Sequence, residues 1–181
     1  CLSAGTQNAI QTGAVISAKD ANLNLTSLTN SGGTISGSNS LNIVSQGDVR
    51  NTGGTITGGN VSVQSTQGSI INETLATTTG NDSYRDTVIG KTGTISSTGD
   101  LSLDAKKNIT VTGAQIAAGG DATLSAGDAI TFDTIEDKKA NTTTSSKNDG
   151  FNSTVNKTTV ATTEQVKSGL TVGGHLQMKD K

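Results

Sequence analysis

A repeat of about twenty residues is the feature that most restricts the fold of this chain. Copies beginning at Gly33, Gly54 and Gly93 each read Gly-Thr-Ile, then a small-residue turn, then a second run of alternating apolar residues. A unit this short cannot bury its own apolar face, so successive units must stack on one another. The sequence therefore predicts stacked coils rather than a globule.

The composition agrees with strands and narrows the functional classes. Of 181 residues, 30% are hydrophobic, 2% are aromatic and 15% are charged, with a net charge of −2. So polar a chain could be disordered, but its apolar residues alternate with polar ones, as half-buried strands require. Proline, which would remove a backbone donor from a paired strand, is absent. No apolar run approaches the roughly 20 residues that span a bilayer, and the charge gives no footprint for nucleic acid.

Isoleucines mark the first strand of each copy, at Ile16, Ile35, Ile56, Ile95 and Ile116. Their spacings are 19, 21, 39 and 21, so the coil with the spacing of 39 is irregular or carries an insertion. Paired apolar positions predict a second strand at Leu23/Leu25, Leu41/Ile43, Val61/Val63, Leu101/Leu103, Ala122/Leu124 and Leu176/Met178. A weaker third strand is predicted around Val49, Ile70, Ile109/Val111 and Ile130/Phe132.

Three short strands per coil close a triangular turn, and each strand then pairs with the equivalent strand of the next coil, about 4.8 Å away. Parallel crossovers are right-handed as a rule, so the predicted fold is all-β, a right-handed parallel β-helix with two insertions. We expect coils over residues 1–71 and 92–132, and a returning coil over 169–181. An irregular insertion is expected over 72–91, and a Ser/Thr-rich one over 133–168. The second insertion is expected to be partly an extended hairpin with a mobile tip from Asn141 to Gly150.

Polar turn residues also form columns. One set precedes the second strand and another precedes the third: Asp20, Asn39, Asn60, Asp100 and Asp121, then Asp48, Asn108 and Asp128. Asn and Asp tolerate turn conformations and bond to their own backbone, which predicts hydrogen-bonded ladders along the axis. An active-site row or a set of calcium ligands is the alternative. The structural interpretation is favoured, because the column mixes Asn with Asp and the calcium-binding nonapeptide is missing.

No residue pattern points to catalysis. The single His175 stands where other copies place Asp or Asn, which indicates a turn residue, and zinc would need clustered His and Cys. The Lys106–Lys107 pair is typical of a solvated turn. We therefore predict no catalytic, metal-binding or cofactor-binding residues, no cofactor and no enzyme activity.

A polysaccharide-acting β-helix enzyme is a distant alternative. Such enzymes need clustered carboxylates with basic side chains and aromatic sugar platforms. The aromatic residues are limited to Tyr84, Phe132 and Phe151, and the arginines to Arg50 and Arg85.

Two further features carry little functional information. Asn-x-Thr sequons occur at Asn24, Asn72, Asn108, Asn141, Asn152 and Asn156, and the abundance of Asn and Thr accounts for them. Cys1 could be the lipidated first residue of a mature lipoprotein, but the boundary of a fragment is the favoured interpretation.

We also expect the native protein to continue beyond both ends, and the isolated piece to associate end to end through its open strand edges.

Most of the chain resembles the haemagglutinin repeats of filamentous haemagglutinin and of the contact-dependent growth inhibition exoproteins, and residues 94–132 carry the resemblance best. The resemblance rests on Gly93-Thr-Ile-x-x-x-Gly99-Asp-Leu-x-Leu, then on Ile109 to Ile116, and then on Ala118 to Ile130. A long Ser/Thr/Lys-rich insertion after such a pair of coils is also similar to that family.

The resemblance implies a two-partner secretion exoprotein of Gram-negative bacteria. Such proteins cross the outer membrane unfolded through a partner transporter, engaged by a region outside these residues, and then fold as a filament on the cell surface. The implied function is a structural segment for adhesion, virulence or toxin delivery. The alternative is a module that binds a target-cell receptor or a glycan through the 133–168 insertion.

Overall fold

The computed structural model describes residues 2–4, 8–80, 84–149 and 152–180. This part of the chain consists of strands and turns, with no helix and hence no helix long enough to cross a membrane. The first ten strands are β1 Leu2–Ala4, β2 Asn8–Thr12, β3 Val15–Leu25, β4 Ser27–Ser31, β5 Thr34–Ser45, β6 Val49–Thr52, β7 Thr55–Ser65, β8 Ile70–Glu73, β9 Ala76–Gly80 and β10 Tyr84–Ile89. The others are β11 Thr94–Ser97, β12 Leu101–Ala105, β13 Asn108–Thr112, β14 Gln115–Ala118, β15 Ala122–Ala126, β16 Ala129–Asp133, β17 Ile135–Asp149, β18 Asn152–Val166, β19 Gly169–Val172 and β20 Leu176–Lys179.

Two parallel sheets wrap the coils. The wide sheet has ten strands and follows the path β1-β3-β5-β7 before it continues through β11, β14 and β19 and through β12, β15 and β20. The narrow sheet has six strands in the order β16-β13-β8-β6-β4-β2. Every pair in both sheets is parallel and joins equivalent positions of successive coils, which confirms the predicted parallel β-helix. The predicted first and second strands share one sheet, because β3, β5 and β7 each run continuously through both.

The first-strand isoleucines stack as predicted. Ile16 pairs with Ile35, and the register continues through Ile56, Ile95 and Ile116 to Leu170. The four isoleucines from Ile35 to Ile116 are buried, so each turn of the chain adds one aliphatic layer to a continuous core. Burial of such a side chain contributes about 1.5–3 kcal/mol. The chain returns to this column at β19, as the sequence predicted.

The second-strand columns require one correction. Ala21 and Leu23, rather than Leu23 and Leu25, are the equivalents of Leu41 and Ile43. Leu25 lies further along the strand, where it is followed in register by Ser45, Ser65, Ala105 and Ala126. A displacement by two positions keeps every apolar side chain on the same face, so the alternation alone does not identify the correct pair. At the other end, Leu176 and Met178 join the columns in register but are nearly half exposed.

The spacing of 39 between Ile56 and Ile95 comes from an insertion rather than an extra coil. Thr55–Gly58 pairs directly with Thr94–Ser97, so no coil lies between them. One coil of regular length plus an excursion away from the rod accounts for the distance along the chain. The same geometry separates Ile116 from Leu170, which also pair directly.

A ladder of asparagine amides lies inside the core. Asn30, Asn51 and Asn72 stack in register on the narrow sheet and are almost completely buried. Asn30 Nδ2 donates to Asn51 Oδ1 at 2.8 Å, and Asn51 Nδ2 donates to Asn72 Oδ1 at 2.8 Å. Asn30 Nδ2 also donates to Gly33 O at 3.1 Å, and Asn51 Nδ2 also donates to Gly54 O at 2.9 Å. This links the narrow sheet to the following turn within each coil as well as linking successive coils.

The ladder favours one register. A buried amide without its partner costs about 1–3 kcal/mol, so a slipped coil would lose these bonds as well as its apolar contacts. Gly54 makes the arrangement feasible, because a Cβ there would lie 2.4 Å from Asn30 Nδ2 and 2.5 Å from Asn51 Oδ1. In the next two coils Val111 and Phe132 continue the column, and the ladder ends.

We expect Asn51→Ala to lower the free energy of unfolding by roughly 3 kcal/mol, because it removes two ladder bonds and leaves a cavity. Urea denaturation followed by far-UV circular dichroism measures the change. Asn22→Ala is the matched control, since Asn22 is exposed on the wide sheet and its loss should cost less than about 0.5 kcal/mol. Equal effects of the two substitutions would refute a structural role for the ladder.

Candidate functional site

Both insertions leave the rod at the same corner, the two-residue turn that leads from the narrow sheet to the wide sheet. In the regular coils its first residue is a glycine with φ between 57° and 66°, at Gly13, Gly32, Gly53 and Gly113. This left-handed conformation is the one that glycine adopts without steric cost. The two coils that carry insertions have Thr74 and Thr134 at the equivalent place.

Thr74 closes the gap that the first insertion opens. Its backbone N–H donates to Thr112 O at 3.1 Å, as the corner glycines do toward their own next coil. Its hydroxyl donates to Gly113 O at 2.6 Å and accepts from Gly93 N–H at 3.1 Å. One buried side chain therefore joins the residue before the insertion to the residue after it.

Ser168 has the corresponding role at the second insertion. Its hydroxyl contacts Asp133 O and donates to Val111 O at 3.0 Å. Ile135 begins the insertion by packing on Gly113, where a Cβ would approach Ile135 Cδ1 to 2.8 Å. The insertions thus leave a rod whose hydrogen bonding remains continuous.

The two insertions together form a lateral sheet, an antiparallel sheet of four strands in the order β18-β17-β10-β9. β9 and β10 are a hairpin, so an irregular insertion over 72–91 is wrong for this segment, and Asn72 and Glu73 belong to β8 in the rod. β17 and β18 pair over fifteen consecutive residues without a register shift. Residues 141–149, expected in a mobile tip, lie within β17, while Gly150 falls outside the described residues. Tyr84 opposite Asn141 and Arg85 opposite Ala140 join the two hairpins.

One face of the lateral sheet is open to solvent. Tyr84, Val88 and Val160 are 55%, 57% and 60% exposed, whereas Thr87, which points to the other face, is 3% exposed. Tyr84, Asn141 and Val160 lie opposite one another in a single row across three strands. A hollow of about 480 Å³ surrounds this row, and Asp86, Lys139, Ala140, Thr143 and Thr162 complete its wall.

The polar turn column before the second strand is a hydrogen-bonded ladder, as predicted. Asn60 Oδ1 accepts from Asp100 N–H at 3.0 Å, and Asp100 Oδ1 accepts from Asp121 N–H at 3.0 Å. Asp121 Oδ1 accepts from His175 N–H at 2.7 Å. His175 therefore occupies the turn position that the sequence assigned to it, and its side chain is almost fully exposed, with Nδ1 3.4 Å from Asp121 Oδ1.

Two members of the predicted columns are out of register. Ser40 rather than Asn39 is the equivalent of Asp20 and Asn60, because β5 carries one extra residue in a bulge. Asn39 still reaches the ladder, since its Nδ2 donates to Asp20 Oδ1 at 2.6 Å. Asp128 lies one residue before the column of Asp48 and Asn108, where Ala129 is the equivalent.

The remaining candidate residues lie apart from one another. Arg50 forms an ion pair with Glu73 at 2.8 Å on the outside of the narrow sheet, and Lys106 and Lys107 are exposed in a bend. Asn72 is buried in the amide ladder, which leaves its sequon inaccessible. Phe132 is partly exposed in β16, and Phe151 lies outside the described residues. Within the described residues no three His, Cys, Asp or Glu side chains lie close enough to share a metal ion.

Two features of the structure, the amide ladder and the insertion corner, have sequence signals that the alternation of apolar residues does not reveal. The amide ladder follows Asn-x-Gly-Gly at Asn30 and Asn51, one coil apart, and Asn72 continues the same spacing. The corner at which the first insertion leaves the rod also has a signal, because Thr74-Leu75 stands after Asn72 where Gly-Gly stands after Asn30 and Asn51. The pairing of the two insertions had no such signal, because it joins segments that are far apart in sequence.

The ladder makes a pH-dependent prediction for Asp121. The hydrogen bond from the His175 backbone N–H, and then the His175 side chain, lower the pKa of this carboxyl below 3.8. Its stabilising contribution is therefore present above about pH 3.8 and is lost as the pH falls through the lowered pKa. Carboxyl NMR titration should place the pKa of Asp121 below its ordinary value, and the pKa should stay lowered in His175→Ala, which keeps the backbone donor. A return to the ordinary value in that variant would contradict the ladder.

A family model described as Hemagglutinin repeat matches residues 76–179, more than half of the chain. The matched range includes all four strands of the lateral sheet, the coils between the two insertions, the second insertion corner and the returning coil. Comparison with curated proteins and comparison with solved structures each give no significant match.

Proposed function

Because the chain belongs to the hemagglutinin-repeat family, we propose that it is a rigid segment of the filament of a large adhesin-like exoprotein and holds functional regions away from the cell. The observation that carries the proposal is the register of the apolar columns, which continues from coil to coil across both insertions. Apolar columns, the amide ladder and the turn ladder all run along one axis. Such a rod extends by about 4.8 Å per coil and grows by adding units. We propose a structural protein rather than an enzyme.

We further propose that the exoprotein is exported through an outer-membrane partner transporter and acts at the bacterial surface. The chain suits passage in an unfolded state, because it has no proline and one cysteine. Proline isomerisation takes tens of seconds and would delay folding after export. Each coil pairs only with its neighbours, so a folded coil outside the membrane offers a template for the next.

A second candidate function is contact with a target-cell glycan through the lateral sheet. The hollow of about 480 Å³ combines the exposed Tyr84 ring with the polar side chains of Asn141, Lys139 and Asp86. Small-ligand sites combine apolar surface with a few directional polar groups in this manner. An aromatic ring offers a flat apolar surface to the C–H face of a sugar, and the amide and charged groups suit its hydroxyls.

Removal of the lateral sheet separates the two functions. The regular Gly53–Gly54 corner gives the design: delete residues 75–92 with Thr74→Gly, and delete 135–167 with Thr134→Gly. The first deletion brings Ile56 and Ile95 to the same spacing along the chain as Ile35 and Ile56. The second deletion does the same for Ile116 and Leu170. We expect the shortened chain to keep its parallel β-sheet circular dichroism spectrum, because both deleted segments lie outside the coil register.

Binding to an immobilised glycan panel is then compared between the two chains. If the intact chain binds no glycan and the shortened chain folds, the spacer function alone is supported. If the intact chain binds and the shortened chain does not, Tyr84→Ala should also lose at least tenfold in affinity, whereas Val88→Ala on the same face should not. Collapse of the shortened chain to a random coil would refute an independently stable rod.

A further inference from the structure

The outer edge of the lateral sheet is unusually long and regular. β18 is the last strand in the order β18-β17-β10-β9, and no strand pairs with its other side in the described part of the chain. Its fifteen residues pair with β17 without a bulge, so the outward row of N–H and C=O groups is straight. Such an edge is a template for one more strand.

The centre of β18 also lacks the features that protect natural edges. Proteins block such edges with prolines, bulges, short strands or charged side chains. The centre of β18, Thr158 to Thr163, is uncharged and rich in β-branched residues, and its flanking charges are Lys157 and Glu164. The opposite edge of the same sheet, β9, is only five residues long and ends at Gly80, whose φ is 114°.

We propose that β18 pairs antiparallel with β18 of a second copy of this chain, with Val160 opposite its own equivalent, and so joins two filaments side by side. This goes beyond the proposed function, which concerns one filament. A two-fold axis perpendicular to the sheet relates two such edges in antiparallel order. Both copies then present the same face on the same side, so even-numbered residues of one β18 oppose even-numbered residues of the other.

Val160 selects the centre of the pairing. It is 60% exposed and lies on the open face near the middle of β18. A centre at Val160 places the two valines together, which buries apolar surface on both copies. The row of Tyr84, Asn141 and Val160 then continues directly into the same row of the second copy.

The charges permit this register. With Val160 at the centre, Lys157 lies opposite Thr163 and Glu164 lies opposite Asn156, so no like charges face each other across the strands. A register centred on Thr162 would instead oppose Lys157 to Lys167 just beyond the strand end. Cross-strand pairs of like charge are destabilising.

Disulfide trapping tests the register. In a Cys1→Ser background, Val160→Cys should give a covalent dimer on non-reducing gels after mild oxidation, because directly opposed Cβ atoms lie about 4.5–5.5 Å apart. Thr163→Cys, on the same edge, should give at least tenfold less dimer, because its counterpart is Lys157. Equal trapping at both positions, or trapping at Thr163 alone, would overturn the register.

Association in solution tests the contact itself. The unmodified chain should show a concentration-dependent dimer by sedimentation equilibrium, and Val160→Lys should weaken it at least tenfold by opposing two lysines. Ser102→Lys on the wide sheet adds the same charge and should leave the dimer unchanged. A chain that stays monomeric at all concentrations, or a dimer that survives Val160→Lys, would overturn the proposal, and neither result bears on the in-register stacking of the coils.

Discussion

In-register stacking of coils is the interaction on which every other feature depends. Each residue of a coil lies beside its equivalent in the next, so an apolar position becomes a column and a polar turn becomes a ladder. Ile56, for example, pairs with Ile35 on one side and Ile95 on the other. The core is therefore one side chain wide in each column and as long as the stack. This explains how a chain with so few large apolar residues buries a continuous core.

The register also explains where the chain tolerates additional sequence. A long insertion at a corner leaves the columns that follow in place, as the direct pairing of Ile56 with Ile95 and of Ile116 with Leu170 shows. Both long excursions begin where the corner glycine is replaced by threonine, at Thr74 and Thr134. The hydroxyl of Thr74 supplies the connections that the interrupted turn no longer makes. The sequences of the rod and of the lateral sheet can then vary independently, because the described strands of the lateral sheet pair only with one another.

Local patterns predicted the fold because the stacking repeats a local pattern. The isoleucine spacing identified the first strand, and His175 was identified as a turn residue because it replaces Asp at a repeated position. Alternation with a period of two did not distinguish Leu23/Leu25 from Ala21/Leu23, since both choices keep the same face inward. One bulged residue near Asn39 and a displacement at Asp128 shifted the polar columns. An extended hairpin was predicted within the second insertion, but the pairing of the two insertions was not, because Tyr84 meets Asn141 only after two separate excursions have left the same corner.

Disulfide trapping between equivalent residues of adjacent coils tests this account most directly. Ser62 and Ser102 are far apart in sequence but directly paired in the wide sheet, with both side chains outside the core. In a Cys1→Ser background, Ser62→Cys with Ser102→Cys should oxidise to an intramolecular disulfide, because paired strands lie about 4.8 Å apart. Ser62→Cys with Asp104→Cys, displaced along the strand to about 8 Å, should not. Absence of the first bond, or equal formation of both, would contradict in-register stacking.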